Sequence, residues 1–357
     1  MKKKRLLMLL GVVSLALVLA AMPFMAACAQ PAPAPAPPPK PAPPKAVEWR
    51  MNCGPEAAAG YGVGTGMSVF LNKEIEGLML LPVGGGTVAA ARLMSGGELE
   101  LQYMNTFVMV DAWEDRGAFA KEPLKVKPYQ GVWLWTTAIV MFTREGTGIK
   151  TYDDLAGRKV TCGDAKWGLF PVQIAAYKAL GLWDKMDNKL IGAADLPDAL
   201  KTGVVDASLG AIMANNTPSG FLRNIDLHNR DIRGITMTKE QQEIINKTPG
   251  LTFLLTSAKG GFTQDIGADE IPGIGIIYGW AFHPSTDTDL VYKFTKALFE
   301  KPKPLIEISP MFEPWSKDAK GISKKAVSAC AGVPVHPGAA KYYKEIGIWQ
   351  DSWVEGK

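Results

Sequence analysis

Two glycine-rich runs, each following an apolar segment, are where the backbone of this chain could meet a ligand. The first is Gly60-Tyr61-Gly62-Val63-Gly64, where the amide of Gly62 and the ring of Tyr61 would approach a bound molecule. The second is Gly163-Asp164-Ala165-Lys166-Trp167-Gly168, where Gly163 and Asp164 would offer hydrogen bonds and Trp167 a flat apolar wall. A third turn, Gly84-Gly85-Gly86-Thr87, could seat an anion at a helix N-terminus. Asn215, in the polar cluster Asn215-Asn216-Thr217, could add a further contact. So could Tyr278, which strand alternation places on one face with Trp280. Each has a plainer use as a strand-to-helix turn, a helix cap or core packing.

Residues for catalysis are harder to find. The chain has three histidines, His228, His283 and His336, and none lies in an HExxH pattern. There is no GxSxG elbow, and the first glycine run lacks the GxGxxG spacing of a dinucleotide loop. Of the four cysteines, Cys53, Cys162 and Cys330 are far apart, with no histidine at ligand spacing. They are either buried free thiols or include one disulfide that the sequence does not select. We expect no catalytic residues, no cofactor and no metal site.

The elements that must position these residues alternate strand and helix. Strands at 47–53, 78–83 and 99–104 are separated by helices ending near Ile75 and spanning 87–94, with a further helix at 105–113. This is the βαβαβ unit of a parallel, doubly wound sheet, with the first glycine run expected as a loop before its helix. The middle repeats the pattern, with strands at 158–162, 189–192 and 204–209. A capping-box-like Thr151-Tyr152-Asp153-Asp154 precedes the first of these. The apolar run 133–142 is too short for a membrane span and reads as a buried strand. A strand at 275–282 leads back to the first unit, and a helix carrying Val291, Phe294 and Leu298 on one face follows. The expected architecture is α/β: a two-lobe clamshell with hinge strands. Lobe 1 is built from 47–140 plus about 275–357, and lobe 2 from about 141–274. Ligands in such sheets sit beyond the strand carboxyl ends.

The front end says where such a clamshell would work. Lys2, Lys3, Lys4 and Arg5 precede an apolar run at 6–22, and Ala26-Ala27 then leads into Cys28. This is a secretory signal of lipoprotein type over 1–27, with Met25 where leucine is usual. Cleavage before Cys28 would leave that thiol to carry lipid. Residues 28–46 follow as a Pro/Ala-rich tether, extended at about 3.1 Å per residue. The four leader cations match the whole formal charge of +4, so the remainder is near neutral. Nothing in it calls for nucleic acid.

Several segments together closely resemble the TAXI-type solute receptors of TRAP transporters. The C-terminal signature is His336-Pro337-Gly338-Ala339, then Tyr342-Tyr343, Glu345 and Gly347. A second stretch runs from Gly148 to Val160 (GIKTYDDLAGRKV), and a third is Leu290-Val291-Tyr292-Lys293-Phe294. The resemblance covers nearly the whole chain from Val47. It implies a type II-like periplasmic-binding-protein fold that passes a small organic, carboxylate-bearing ligand to a membrane permease of TRAP type. The family's first binding loop falls on the Gly60 run and its second on the Gly163 run. The end of its third strand falls on Tyr103-Met104-Asn105, which adds Asn105 to the ligand site. His336 and Pro337 are expected to hold the C-terminal segment, not ligand. The expected location is extracytoplasmic, on a membrane through the lipid at Cys28. A larger amphipathic acid stacked on Trp167 is a second ligand expectation. The alternative functions are a ligand-sensing lipoprotein for a signalling partner and a periplasmic enzyme.

Overall fold

In the computed structural model, residues 46–54, 56, 59–165 and 167–357 are described. The expected signal, Cys28 and tether lie outside the described residues. From Val47 the chain alternates β1 (Val47–Asn52), α1 (Ala59–Glu74), β2 (Leu78–Val83), α2 (Thr87–Ser95) and β3 (Leu101–Asn105). β1 pairs in parallel with both β2 and β3, as a βαβαβ unit requires. After α3 (Thr106–Trp113) comes β4 (Tyr129–Arg144), sixteen residues buried almost throughout. Its Val, Trp, Ile and Phe run without polar alternation because both its faces are covered.

The second half-structure contains β5 (Lys159–Thr161), α4 (Phe170–Ala179), β6 (Asp187–Asn188), α5 (Leu196–Lys201) and β7 (Ala207–Met213). It continues with β8 (Thr217–Pro218), α6 (Gly220–His228), β9 (Ile232–Gly234), α7 (Lys239–Lys247) and β10 (Thr252–Ser257). β11 (Glu270–Phe282) returns to the first half, followed by α8 (Thr288–Glu300), α9 (Pro302–Ile308), α10 (Phe312–Ala329) and α11 (Pro337–Glu345). The eleven strands among the described residues join one sheet, ordered β2-β1-β3-β11-β4-β7-β5-β6, with β10 on β11, β8 on β7 and β9 on β4.

Two hydrophobic cores share that sheet. One gathers Met51, Met67, Trp133, Trp280, Phe294 and Tyr343; the other gathers Phe142, Tyr152, Val160, Leu209, Leu222 and Ile274. β4 gives Trp133 and Trp135 to the first core and Ala138 to Phe142 to the second. β11 changes over between Ile276 and Ile277. Val291, Phe294 and Leu298 on α8 are fully buried, as their spacing predicts. Each such burial contributes about 2 kcal/mol.

Three local readings differ from the sequence expectation. The first glycine run is not a loop: residues 59–74 are helical, so Gly60 to Gly64 form the opening turns of α1. Residues 189–192 are irregular, and the short strand β6 precedes them. Thr151 to Asp154 opens a 3-10 turn, in which the Asp154 carboxylate accepts from the amides of Lys150 and Thr151.

His336 does hold the C-terminal segment. Its backbone amide donates to Gln130 O on β4, and its Nδ1 accepts from Gly338 N at the start of α11. With Nδ1 accepting, Nε2 carries the hydrogen and faces Thr286 Oγ1 at 3.3 Å. Burial holds this imidazole down at about 4, against an ordinary 6.5. The unfolded chain therefore takes up the proton first on acidification. The neutral ring's contribution is complete above pH 6.5 and is lost as pH falls towards 4, up to about 3 kcal/mol. Urea unfolding between pH 4 and 7 should show this slope, and His336→Gln should flatten it. An unchanged slope in the variant would assign it to other groups.

Candidate functional site

Neighbouring strands bring one row of side chains to the seam between the two cores. Tyr278 on β11 lies opposite Asn105 on β3 and Trp135 on β4. Thr137, two residues beyond Trp135 on the same strand face, lies opposite Met213 on β7. These residues, with Tyr103, line a cavity of about 640 Å³. The Tyr103 and Tyr278 rings stack with centroids 4.8 Å apart and planes at 14°. Trp135 lies against Tyr103 at 5.6 Å. Stacked pairs of this kind add about 1 kcal/mol beyond their burial, which stiffens the wall.

Besides Gly60 in the first turn of α1 and Met311 at the start of α10, four helices present their amino ends to the same cavity. Gly86, Thr87, Val88 and Ala89 open α2; Asn105 and Val108 belong to the start of α3. Gly168, Leu169 and Pro171 surround the start of α4, and Ser219 and Phe221 that of α6. Asn105 Oδ1 accepts from Val108 N at 2.9 Å, and Ser219 Oγ accepts from Leu222 N at 3.3 Å, so α3 and α6 are capped by side chains. α2 is not, because its cap residue Gly86 has no side-chain acceptor. Its first-turn residues line the cavity, and their amides have no partner within the helix and carry the positive end of its dipole.

No described lining residue is charged. Burial raises the phenol pKa of both Tyr103 and Tyr278, so each hydroxyl stays protonated and able to donate. Thr137 is 4% exposed, and its Oγ1 is buried without a partner among the described residues. The site can therefore supply flat apolar walls and neutral donors. Among the described residues no group of three potential metal ligands exists.

The expected site residues separate into those at the cavity and those beside it. Asn105 and Tyr278 line it. From the first glycine run only Gly60 does, because the run is helical and successive residues point in different directions. Tyr61 packs against the first core, and Gly62 faces solvent. Gly64 is a close-packing glycine: a Cβ there would come within 2.5 Å of Cys53 Sγ.

In the second run, Gly163 has φ +86°, and a Cβ would meet the Trp167 ring at 2.6 Å. Trp167 is thus folded back onto Gly163 and against Phe221, at 5.0 Å between ring centroids. It supports the wall that Phe221 forms, instead of being that wall. Asp164 is half-buried in the same turn, and its carbonyl accepts from Trp167 N. Asn215 is exposed in the β7–β8 turn at φ +61°, where its Oδ1 accepts from Ser257 N and Thr256 Oγ1. That side chain is consumed in bracing the turn. Trp280, expected on the face of Tyr278, is fully buried in the first core. Its alternation with Tyr278 holds, since Tyr278, Gly279 and Trp280 pair in register with Asn105, Met104 and Tyr103, and its ring lies 5.6 Å from that of Tyr103. The three cysteines are buried and free.

Sequence reasoning missed Trp135, Thr137 and Phe221. The first two sit in an apolar run whose inner and outer faces look alike. Phe221 opens α6, and no motif marks it.

The sequence matches the NMT1-like family over residues 52–347, which contain every cavity residue named above. The chain belongs to the NMT1-like family. Among solved structures, this NMT1-like protein is similar to the periplasmic aliphatic sulphonate binding protein SsuA from Escherichia coli. Identity is 14%, covering 84% of this chain and 83% of that one, with a TM-score of 0.42. It is also similar to a TctC solute binding protein from Polaromonas at 14% identity, covering 78% and 89%, with a TM-score of 0.46.

Helical placement of the glycine run has a direct test. Gly62→Ala adds a methyl where nothing lies within 4 Å, and should stabilise the protein by about 0.5–1 kcal/mol. Gly64→Val should destabilise it by about 1–3 kcal/mol through overpacking against Cys53 and Trp280. Denaturant melts of both variants check the pair; loss of stability in Gly62→Ala would contradict the helix.

Proposed function

We propose that this protein is an extracytoplasmic solute receptor. It captures a small organic acid between two lobes and delivers it to a TRAP-type permease. Lobe 1 comprises 47–140 with about 275–357, and lobe 2 about 141–274. Cys28 carries the lipid, and the proline tether lets the receptor range near its permease. The ligand drives the lobes together, and the permease meets the closed form.

The observation that supports this reading is the cavity at the seam of the two cores. At about 640 Å³ it has the size of a small-molecule site, with apolar walls and a few converging polar groups. Walls drawn from both cores make occupancy and closure one event. The leader supports the location, and the TAXI-like C-terminal signature supports the TRAP partner.

Titration calorimetry with small organic acids should find a ligand of micromolar affinity, about −8 kcal/mol. At a hundredfold excess over Kd that ligand should add about 2.7 kcal/mol of stability. Tyr278→Ala should weaken binding about tenfold or more by removing one ring of the stack, whereas Tyr278→Phe should keep most of it. Equal affinity in wild type and Tyr278→Ala would place the ligand elsewhere.

A further inference from the structure

We propose that the cavity takes a ring-bearing organic acid with a single carboxylate, its ring against Tyr278 and its acid at the amino end of α2. The inference rests on the receptor reading above and names the ligand class. The stacked Tyr278 and Tyr103, with Trp135 and Phe221, offer the ring area that a flat apolar body needs. Leu169 and Met311 extend the same apolar wall.

α2 offers the cavity an anion seat, whereas the uncapped start of α4 spends its Phe170 amide on Trp167 O and has Pro171 next, which lacks one. α2 is nine residues long, lacks a side-chain cap, and places Gly86, Thr87, Val88 and Ala89 at the cavity wall. Its unpaired first-turn amides can hold a carboxylate without a cation. Thr137 is an independent sign of a missing partner. It lines the same cavity, is 4% exposed, and its hydroxyl finds no acceptor or donor among the described residues. Buried hydroxyls are ordinarily paired, so this one is suited to a ligand oxygen.

A second carboxylate, or the ammonium of an amino acid, would enter an apolar space with no counter-charge among the described lining residues. Selectivity then follows from desolvation: α2 provides for an anionic group, and each further charge costs its own desolvation. Tyr103 and Tyr278, kept as neutral phenols, add donors without adding charge.

The test is calorimetric titration of the purified full chain with four probes: 3-phenylpropanoate, 3-phenylpropan-1-ol, 2-oxoglutarate and L-glutamate. The aromatic acid should bind at least tenfold more tightly than each of the others. Thr137→Val keeps shape and removes the hydroxyl, so it should lose about tenfold in affinity for the acid. Its melting temperature should be unchanged or raised, because a buried unpaired hydroxyl has been removed. Tighter binding of 2-oxoglutarate or glutamate overturns the ligand class and leaves the receptor reading standing. Equal binding of the alcohol overturns the carboxylate seat. Unchanged affinity in Thr137→Val overturns its role as a ligand contact. Heat from none of the probes overturns the ligand class, and the receptor reading falls with it if native mass spectrometry of the purified protein also finds no bound small molecule.

Discussion

The structure depends on the antiparallel pairing of two long strands. β4 and β11 run side by side from Gly273 opposite Val140 to Phe282 opposite Tyr129, and each contributes to both hydrophobic cores. Because they are buried on both faces, their backbone groups must be satisfied by each other and by β3 and β7. That requirement locks the two halves of the molecule to a common sheet. It also sets the seam where the strands pass from one core to the other. The cavity lies there, with Trp135, Thr137 and Tyr278 as its strand-borne wall.

The same constraint explains the character of the site. A seam between two apolar cores is a poor place for a charged side chain, since a buried ion without a partner costs several kcal/mol. Polarity comes instead from groups the fold already provides: helix amino ends, phenols and one threonine hydroxyl. α3 and α6 satisfy their first turns with Asn105 and Ser219, whereas α2 leaves its own to the cavity. A backbone seat of this kind does not need a flexible lysine to be ordered on binding, and it limits how much negative charge can enter.

Much of the architecture was legible because it follows from periodicity. The βαβαβ opening, the α8 face of Val291, Phe294 and Leu298, and the return strand all appear as expected. The cavity lining was legible only where polar residues sit at element junctions, as at Asn105, or where a strand residue is amphipathic, as at Tyr278. Gly60 to Gly64 were expected as a loop because glycine signals loops by its backbone freedom, whereas here the run is helical and Gly64 serves close packing of α1 against Cys53. Trp167 and Asn215 lie beside the cavity for a different reason. Both stand at the right junctions, yet local partners already occupy them: Gly163 and Phe221 for the ring, Thr256 and Ser257 for the amide. Junction position is visible in sequence; whether a side chain is already engaged is a matter of tertiary contact.

The central claim is that ligand sits at the seam, in contact with both cores. A crystal structure of the protein with its bound organic acid tests this most directly. The account predicts a ligand ring against Tyr278 and Tyr103, an acid group at the first turn of α2, and contact with Phe221 from the other core. Ligand density outside this cavity, or confined to residues of one core, would contradict it.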